Sequence, residues 1–329
     1  MLALSRSDVR SLVSMERAID LVKVAFEDLF AKRATAPIRT AIDVIPGSAT
    51  TLVMPAFVPA ADALGVKVVS VFADNQARGL PTITSVVCLI DPQTGSPLAV
   101  MDGAYLTALR TGAVSGAATD LLARPEAESL TLIGAGVQAV MQAVAVATVR
   151  PIQRIVVVAR EQRHLDRFQQ TMGEEWPDIA GMIETTTDVA RAVRGADIIC
   201  AATTSKTPVF DDVDVQPGTH INGVGSFTAT MREIPSETVA RAIVFVDQRE
   251  AALEEAGDLI IPIQAGAITE AHIAGELGEL VSGAGRGRQA TGEITFFKSV
   301  GNAVQDMAVG RYAYDEALRR HFGQEVALS

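Results

Sequence analysis

A charge-free run of 21 residues, Ser129 to Val149, constrains this chain more than any other stretch. It is long enough for a helix to cross a bilayer, yet Gly134-Ala-Gly136 interrupts it near its start. A short apolar strand, a glycine turn and a buried helix account for the same apolarity. The pattern is Leu130-Thr-Leu-Ile133 followed by Gly-x-Gly-x-x-Ala, closing on Ala139. In that setting Gly134 permits the tight turn, Gly136 lets the backbone approach a pyrophosphate, and Ala139 lets the helix pack on the strand. Val137 and Gln138 open the helix, whose unpaired N–H groups and positive dipole end favour a phosphate. The competing reading is a glycine turn in an α/β domain that binds nothing.

The flanking pattern supports a nucleotide domain. SLTLI, RIVVVA, ADIICAAT, THINGVG and AIVFVD are five β-runs with helical or mixed segments between several of them, which describes an α/β fold with a Rossmann-type doubly wound parallel sheet. Upstream the texture differs. After a helix capped by Ser14 with Ile19, Val22, Phe26, Leu29 and Phe30 at helical spacing, Arg39 to Val100 reads as antiparallel strands whose connections are too short for crossover helices. Asp91-Pro-Gln-Thr-Gly95 is a hairpin turn, and a helix rich in small residues runs from about Ala104 to Leu122. Gly283 to Gly292 reads as a polar loop with Arg286 and Arg288 solvated. ITFFK is a strand leading into a long final helix placed to return to the first domain.

With 329 residues, 48% apolar, the chain has material for about two domains and is not disordered. Its net charge of −11, from 28 basic against 39 acidic side chains, offers no field for a nucleic acid. Cys88 and Cys200 lie in apolar runs and read as free buried thiols; with four scattered histidines they give no metal-ligand spacing, so no metal is expected. The first residues lack a leader-like apolar stretch, so a cytoplasmic protein with no membrane partner is expected.

The strand at Arg154 to Ala159 ends where a cofactor's ribose should lie. Arg160 there suits a 2′-phosphate, so NADP(H) is preferred; Glu161, as a ribose acid, keeps NAD(H) as the alternative. His164 reads as an exposed helical residue that could help the phosphate.

The chain resembles the ornithine cyclodeaminase and mu-crystallin family over essentially its whole length. The resemblance rests on LVMPA (52–56), GVKVVS (65–70), LPTITSVVCLIDPQTGSPLAVMDGAYLTALRTGAVS (80–115), LIGAGVQA, INGVGSFTATMREI (221–234) and ITFFKSVGNAVQDMA (294–308). It implies a Rossmann domain (121–299) inserted into a smaller α+β substrate and dimerisation domain (1–120 with 300–329), a homodimer, and chemistry on cyclic imines or amino acids bearing an α-carboxylate. The family's three carboxylate-binding cations fall on Arg39, Lys67 and Arg110. Independently, Lys67 interrupts an apolar strand, where an ammonium needs a counterion, and Arg110 suits bidentate carboxylate recognition. The competing reading pairs them with structural acids such as Asp74 or Asp102. Val300 and Gly301 resemble the family segment near the nicotinamide, with Asn302 beside them; Thr203 and Val224 complete the expected cofactor set. Asp306, one turn further on, reads as a structural partner.

Cyclodeaminases carry a Glu before the Met-Pro dipeptide and an Asp after the INAVG strand; Leu52 and Phe227 stand there in this chain. The GSFTATMRE version is similar to the ketimine reductase branch, which reduces Δ1-pyrroline-2-carboxylate and Δ1-piperideine-2-carboxylate to L-proline and L-pipecolate. Phe227 would wall the ring, and the proton would come from solvent before binding, from Lys67, or through a hydroxyl relay at Thr228 or Ser226. The alternatives are ornithine cyclodeaminase, an alanine-dehydrogenase-like enzyme, and a mu-crystallin-like protein that binds NADPH and a small ligand without turnover.

Overall fold

Ser14 starts the helix Met15–Phe30 by accepting the Arg17 N–H on its hydroxyl, and the helix buries Ile19, Val22 and Phe26 at the spacing of one face. Leu29 is only half-buried and Phe30 is exposed, so the apolar stripe ends before the helix does. The computed structural model describes residues 1–327. They form two units: Met1–Arg110 with the chain from Asn302 onward, and Thr111–Gly301. The division falls inside the helix Gly103–Leu122.

The first unit is built on β1 (Leu2–Leu4), β2 (Thr40–Ile45), β3 (Ala49–Val58), β4 (Ala63–Phe72), β5 (Ile83–Ile90) and β6 (Pro97–Asp102). The sheet runs β1-β6-β5-β4-β3-β2, with the terminal strand Gln324–Glu325 outside β1. Strands β2 to β6 pair antiparallel, as their short connections require. Asp91 Oδ1 makes the β5–β6 turn by accepting from Gln93 N at 2.8 Å and Thr94 N at 3.2 Å. Side chains alternate along β4, so Ala63, Gly65, Lys67 and Val69 share the buried face. The final helix, Ala303–Arg320, packs against β3, β4 and the Met15–Phe30 helix. Asn302 caps it by accepting the Val304 N–H, and Gln305 answers by accepting the Asn302 N–H.

In the second unit all eight strands are parallel: β7 (Ser129–Ile133), β8 (Arg154–Val158), β9 (Ile183–Thr186), β10 (Ile198–Ala201), β11 (His220–Gly223), β12 (Ile243–Val246), β13 (Ile273–Glu276) and β14 (Thr295–Lys298). Their order is β13-β12-β14-β11-β10-β7-β8-β9. Successive strands leave the centre in opposite directions on either side of the β7–β10 pair, which makes this the switch point of a doubly wound sheet. The charge-free run divides into β7 and the helix Val137–Val149, buried from Ala139 to Val146. No helix among the described residues is long and apolar enough to cross a membrane.

The ITFFK strand leads into the final helix, as expected, and is also an inner member of the parallel sheet, bonded to both β11 and β12. Two sequence expectations need correction. Arg288 is not solvated: its guanidinium donates to Leu122 O at 2.8 Å, Thr295 Oγ1 at 2.9 Å and Glu293 O, whereas Arg286 is exposed. Cys200 is a buried thiol, but Cys88 is only half-buried; neither forms a disulfide.

Candidate active site

The alternation of β4 carries Lys67 into the interior of the first unit, where the final helix supplies its partner. Lys67 Nζ lies 2.6 Å from Asp306 Oδ2, and Arg110 Nε donates to Asp306 Oδ1 at 3.0 Å. Arg110 Nη1 donates to Gln305 Oε1 at 2.7 Å. Lys67 and Asp306 are 1% and 0% exposed, so their charges act with little solvent screening. One carboxylate therefore holds two cations side by side, and Nη2 of Arg110 is committed to neither acceptor. Burial and the neighbouring Arg110 pull Lys67 down to about 7, against the opposing pull of Asp306; Arg39 lowers it further. Arg39 itself is half-buried just before β2.

The acids named as alternative partners serve elsewhere. Asp74 accepts from Ser48 Oγ at 2.6 Å, and Asp102 accepts the Tyr105 N–H at 2.7 Å at the start of the Gly103–Leu122 helix. Asp306, read from sequence only as a structural partner, is the counterion that both cations share. Gln305, which anchors the guanidinium, was not singled out in the sequence.

In the second unit the turn after β7 is shaped for a close approach. Gly134 has φ +108°, which L side chains rarely adopt, and a Cβ there would lie 2.4 Å from Ala202 O. Gly136 instead faces open space, with nothing within 4 Å of a Cβ. Val137 is 63% exposed at the helix start, Gln138 is half-buried, and Ala139 is fully buried. A small residue at the tight point, an open backbone beside it and free N–H groups beyond fit a pyrophosphate.

Arg160 is exposed just beyond β8, while the Glu161 carboxylate is turned to Arg163 Nε at 2.8 Å and His164 at 3.9 Å. Thr203 follows β10, and its N–H donates to Glu233 Oε1 at 2.6 Å. Val224 is buried after β11. Val300 and Gly301 follow β14, their N–H groups donating to Asp247 Oδ2 at 2.9 and 2.8 Å.

The segment after β11 separates its three candidate residues. Ser226 is buried, and its hydroxyl hydrogen is spent on Met231 O at 2.8 Å, which leaves none to relay. Phe227 is half-buried and Thr228 exposed. Glu233, Asp247, Asp258 and Lys298, all buried in this unit, were not found from sequence. Lys298 carried the same signal as Lys67, a lone charge in an apolar strand.

Residues 1–321 match the model of the ornithine cyclodeaminase/mu-crystallin family. The chain is 41% identical over 327 residues to the Δ1-pyrroline-2-carboxylate reductase of Bacillus cereus, covering 99% of both, and 36% identical over 280 residues to the ketimine reductase mu-crystallin of Mus musculus, covering 85% of this chain and 84% of that one. Among solved structures, the Δ1-pyrroline-2-carboxylate reductase of Thermococcus litoralis, in complex with NADH and L-proline, superposes with a TM-score of 0.95 at 42% identity, covering 99% of this chain and 100% of that one. An archaeal alanine dehydrogenase dimer with bound NAD gives 0.92 at 31% identity, covering 100% and 99%.

Proposed function

The chain belongs to the ornithine cyclodeaminase/mu-crystallin family, and on that premise we propose that it reduces a cyclic α-imino acid, Δ1-pyrroline-2-carboxylate or its six-membered homologue, to L-proline or L-pipecolate with NADPH. It is an oxidoreductase acting on a carbon–nitrogen double bond. The observation that carries the reading is the buried pair of cations on one carboxylate, Lys67 and Arg110 on Asp306. The two cations outnumber that carboxylate's charge by one, so the site is complementary to one further anion, and an α-carboxylate is such an anion.

The residues divide the work. Arg110, held at Nε and Nη1, presents a fixed guanidinium edge; Lys67 and Arg39 complete the clamp and orient the ring. Lys67, with its proton affinity brought near neutrality, donates the proton that makes the imine nitrogen cationic and its carbon electrophilic. Bound in the second unit, the reduced pyridine nucleotide supplies the hydride. One hydride to carbon and one proton to nitrogen convert the imine to the amine. Phe227 gives the ring an apolar wall, and Thr228 is the second candidate for proton traffic.

Gly134, Gly136, Val137, Gln138 and Ala139 would hold the pyrophosphate; Thr203, Val224, Val300 and Gly301 would line the nicotinamide end. Preference for NADP(H) over NAD(H) is supported by Arg160, exposed at the ribose end of β8, and by Glu161, whose carboxylate is engaged by Arg163. A homodimer is supported by β2, an edge strand whose Ile42 and Val44 are 54% and 52% exposed. The test is oxidation of NADPH on adding either imine, followed at the reduced-nicotinamide absorbance. Oxidation only with pyruvate and ammonia would replace this reading with an alanine dehydrogenase, ammonia release from ornithine with a cyclodeaminase, and saturable nucleotide binding without turnover with a binding protein.

A further inference from the structure

The buried carboxylate of Glu233 ties together the turns that follow two adjacent strands of the parallel sheet. Its Oε1 accepts from Thr203 N at 2.6 Å, after β10; its Oε2 accepts from Gly225 N at 2.7 Å and Ser226 N at 3.0 Å, after β11. The fit is tight: a Cβ on Gly225 would lie 2.1 Å from Thr203 O and 2.6 Å from Glu233 Oε1. Glu233 is itself anchored. Its N–H and that of Ile234 donate to Asp258 Oδ1 at 2.7 and 3.0 Å, and Asp258 Oδ2 lies 3.0 Å from Lys298 Nζ, both side chains fully buried. Lys298 ends β14, immediately before the Ser299–Gly301 segment that Asp247 holds. The cluster therefore spans the carboxyl ends of β10, β11 and β14, on the side of the switch point where doubly wound sheets bind ligands.

We propose that Glu233 is a positioning residue for the pyridine nucleotide: as an anion it sets the Thr203 and Gly225–Ser226 turns in the arrangement the nucleotide binds, so proton uptake by this carboxylate weakens nucleotide binding. The inference rests on reading the second unit as the nucleotide unit. Three N–H donors converge on the two oxygens, and each oxygen receives at least one. Oε2 already receives two N–H groups, so a proton there must displace one of them, and a proton on Oε1 takes its second lone pair and weakens its hold on the Thr203 N–H; in either case a turn is loosened. Burial and the nearby Asp258 favour the proton, while Lys298 and the Thr203 N–H oppose it, and the balance holds Glu233 above the usual carboxylate range. The ionisable groups facing it are Asp258, from the helix Gly257–Gln264, and Lys298, from β14. A purely structural glutamate would affect unfolding but would not couple a proton to the ligand.

NADH is the probe, because it lacks the 2′-phosphate, whose own protonation would confuse the profile. Its dissociation constant is measured between pH 6 and pH 8 by fluorescence of the reduced ring, without imine present. Wild-type protein should bind about tenfold more weakly at the acidic end. Glu233→Gln, checked for folding by circular dichroism, should bind weakly throughout with a flat profile. Asp258→Asn removes a charge that favours the proton, so its midpoint should move to lower pH. Binding of neither NADH nor NADPH by wild type at any pH would overturn the reading of the unit itself. NADH binding with a flat wild-type profile, or a folded Glu233→Gln variant with unchanged affinity and slope, would overturn the role of Glu233.

Discussion

Asp306 Oδ2 lies 2.6 Å from Lys67 Nζ across 239 residues of sequence, and neither side chain meets solvent to more than 1%. This contact decides what kind of group Lys67 is. A buried lysine facing a guanidinium would lose its proton readily; the carboxylate returns part of the lost proton affinity. The result is an ammonium that exchanges a proton near neutral pH.

The first expectation is a pH profile. Lys67 must be protonated to donate, so kcat/KM for the imine should fall as pH rises through about 7. Asp306→Asn removes the charge that raises Lys67, so this fall should come at lower pH. Steady-state kinetics with saturating nucleotide check it, and an unmoved midpoint would disconnect the two residues. The same group has a stability signature. The unfolded chain holds the Lys67 proton over a range where the folded chain has lost it, so Lys67 makes stability rise as pH increases from about 7 toward its ordinary value of 10.5. Lys67→Met should flatten that rise in denaturant unfolding.

The two glycines of the turn should separate folding from binding. Gly134→Ala places a Cβ 2.4 Å from Ala202 O at φ +108° and should lower the melting temperature. Gly136→Ala meets nothing within 4 Å. It should melt as wild type does yet lose nucleotide affinity, as calorimetric titration with NADPH would report. Equal melting and equal affinity for the second variant would remove the pyrophosphate from this turn.

Arg160 should discriminate between cofactors. A hydrogen bond to a charged group is worth roughly 1.5–3 kcal/mol, or about 10- to 100-fold in affinity, so Arg160→Ala should weaken NADPH by that factor and leave NADH nearly unchanged. Equal losses for both would contradict the 2′-phosphate assignment.

Edge strand β2 should be covered in solution. Sedimentation of wild-type protein should give a dimer, and Val44→Lys, on a residue now 52% exposed, should shift the equilibrium toward monomer. A monomer at micromolar concentration for wild type would leave the exposed Ile42 and Val44 unexplained.

Local features were the legible ones. The Gly134 turn could be read because a strand, two glycines and a helix fall within one short charge-free run, and the Asp91 turn because its residue types dictate its geometry. Lys67 stood out as a charge in an apolar strand. Its counterion did not, because nothing local in the sequence says which acid on which distant helix faces a given strand; Asp306 was assigned a structural role without its partners. Lys298 carries the same signal, but its strand runs directly toward a long helical pattern, and nothing local shows that it joins the parallel sheet. The glycine-rich composition around Arg288 predicts a solvated side chain and says nothing of the Leu122 and Glu293 carbonyls that folding brings to it. Glu233 lay inside a quoted motif, yet only the folded backbone shows three N–H groups aimed at it.

The most direct test of the central claim is the fate of a labelled hydride. NADPH carrying deuterium at the transferable position of the nicotinamide is incubated with the protein and Δ1-pyrroline-2-carboxylate, and the product is read by mass spectrometry and nuclear magnetic resonance. Transfer of one deuterium to C2 of L-proline is the expected result. Unlabelled or absent proline, with the labelled cofactor unconsumed while both imines are supplied in turn, would contradict the assignment of this chain as a cyclic imine reductase.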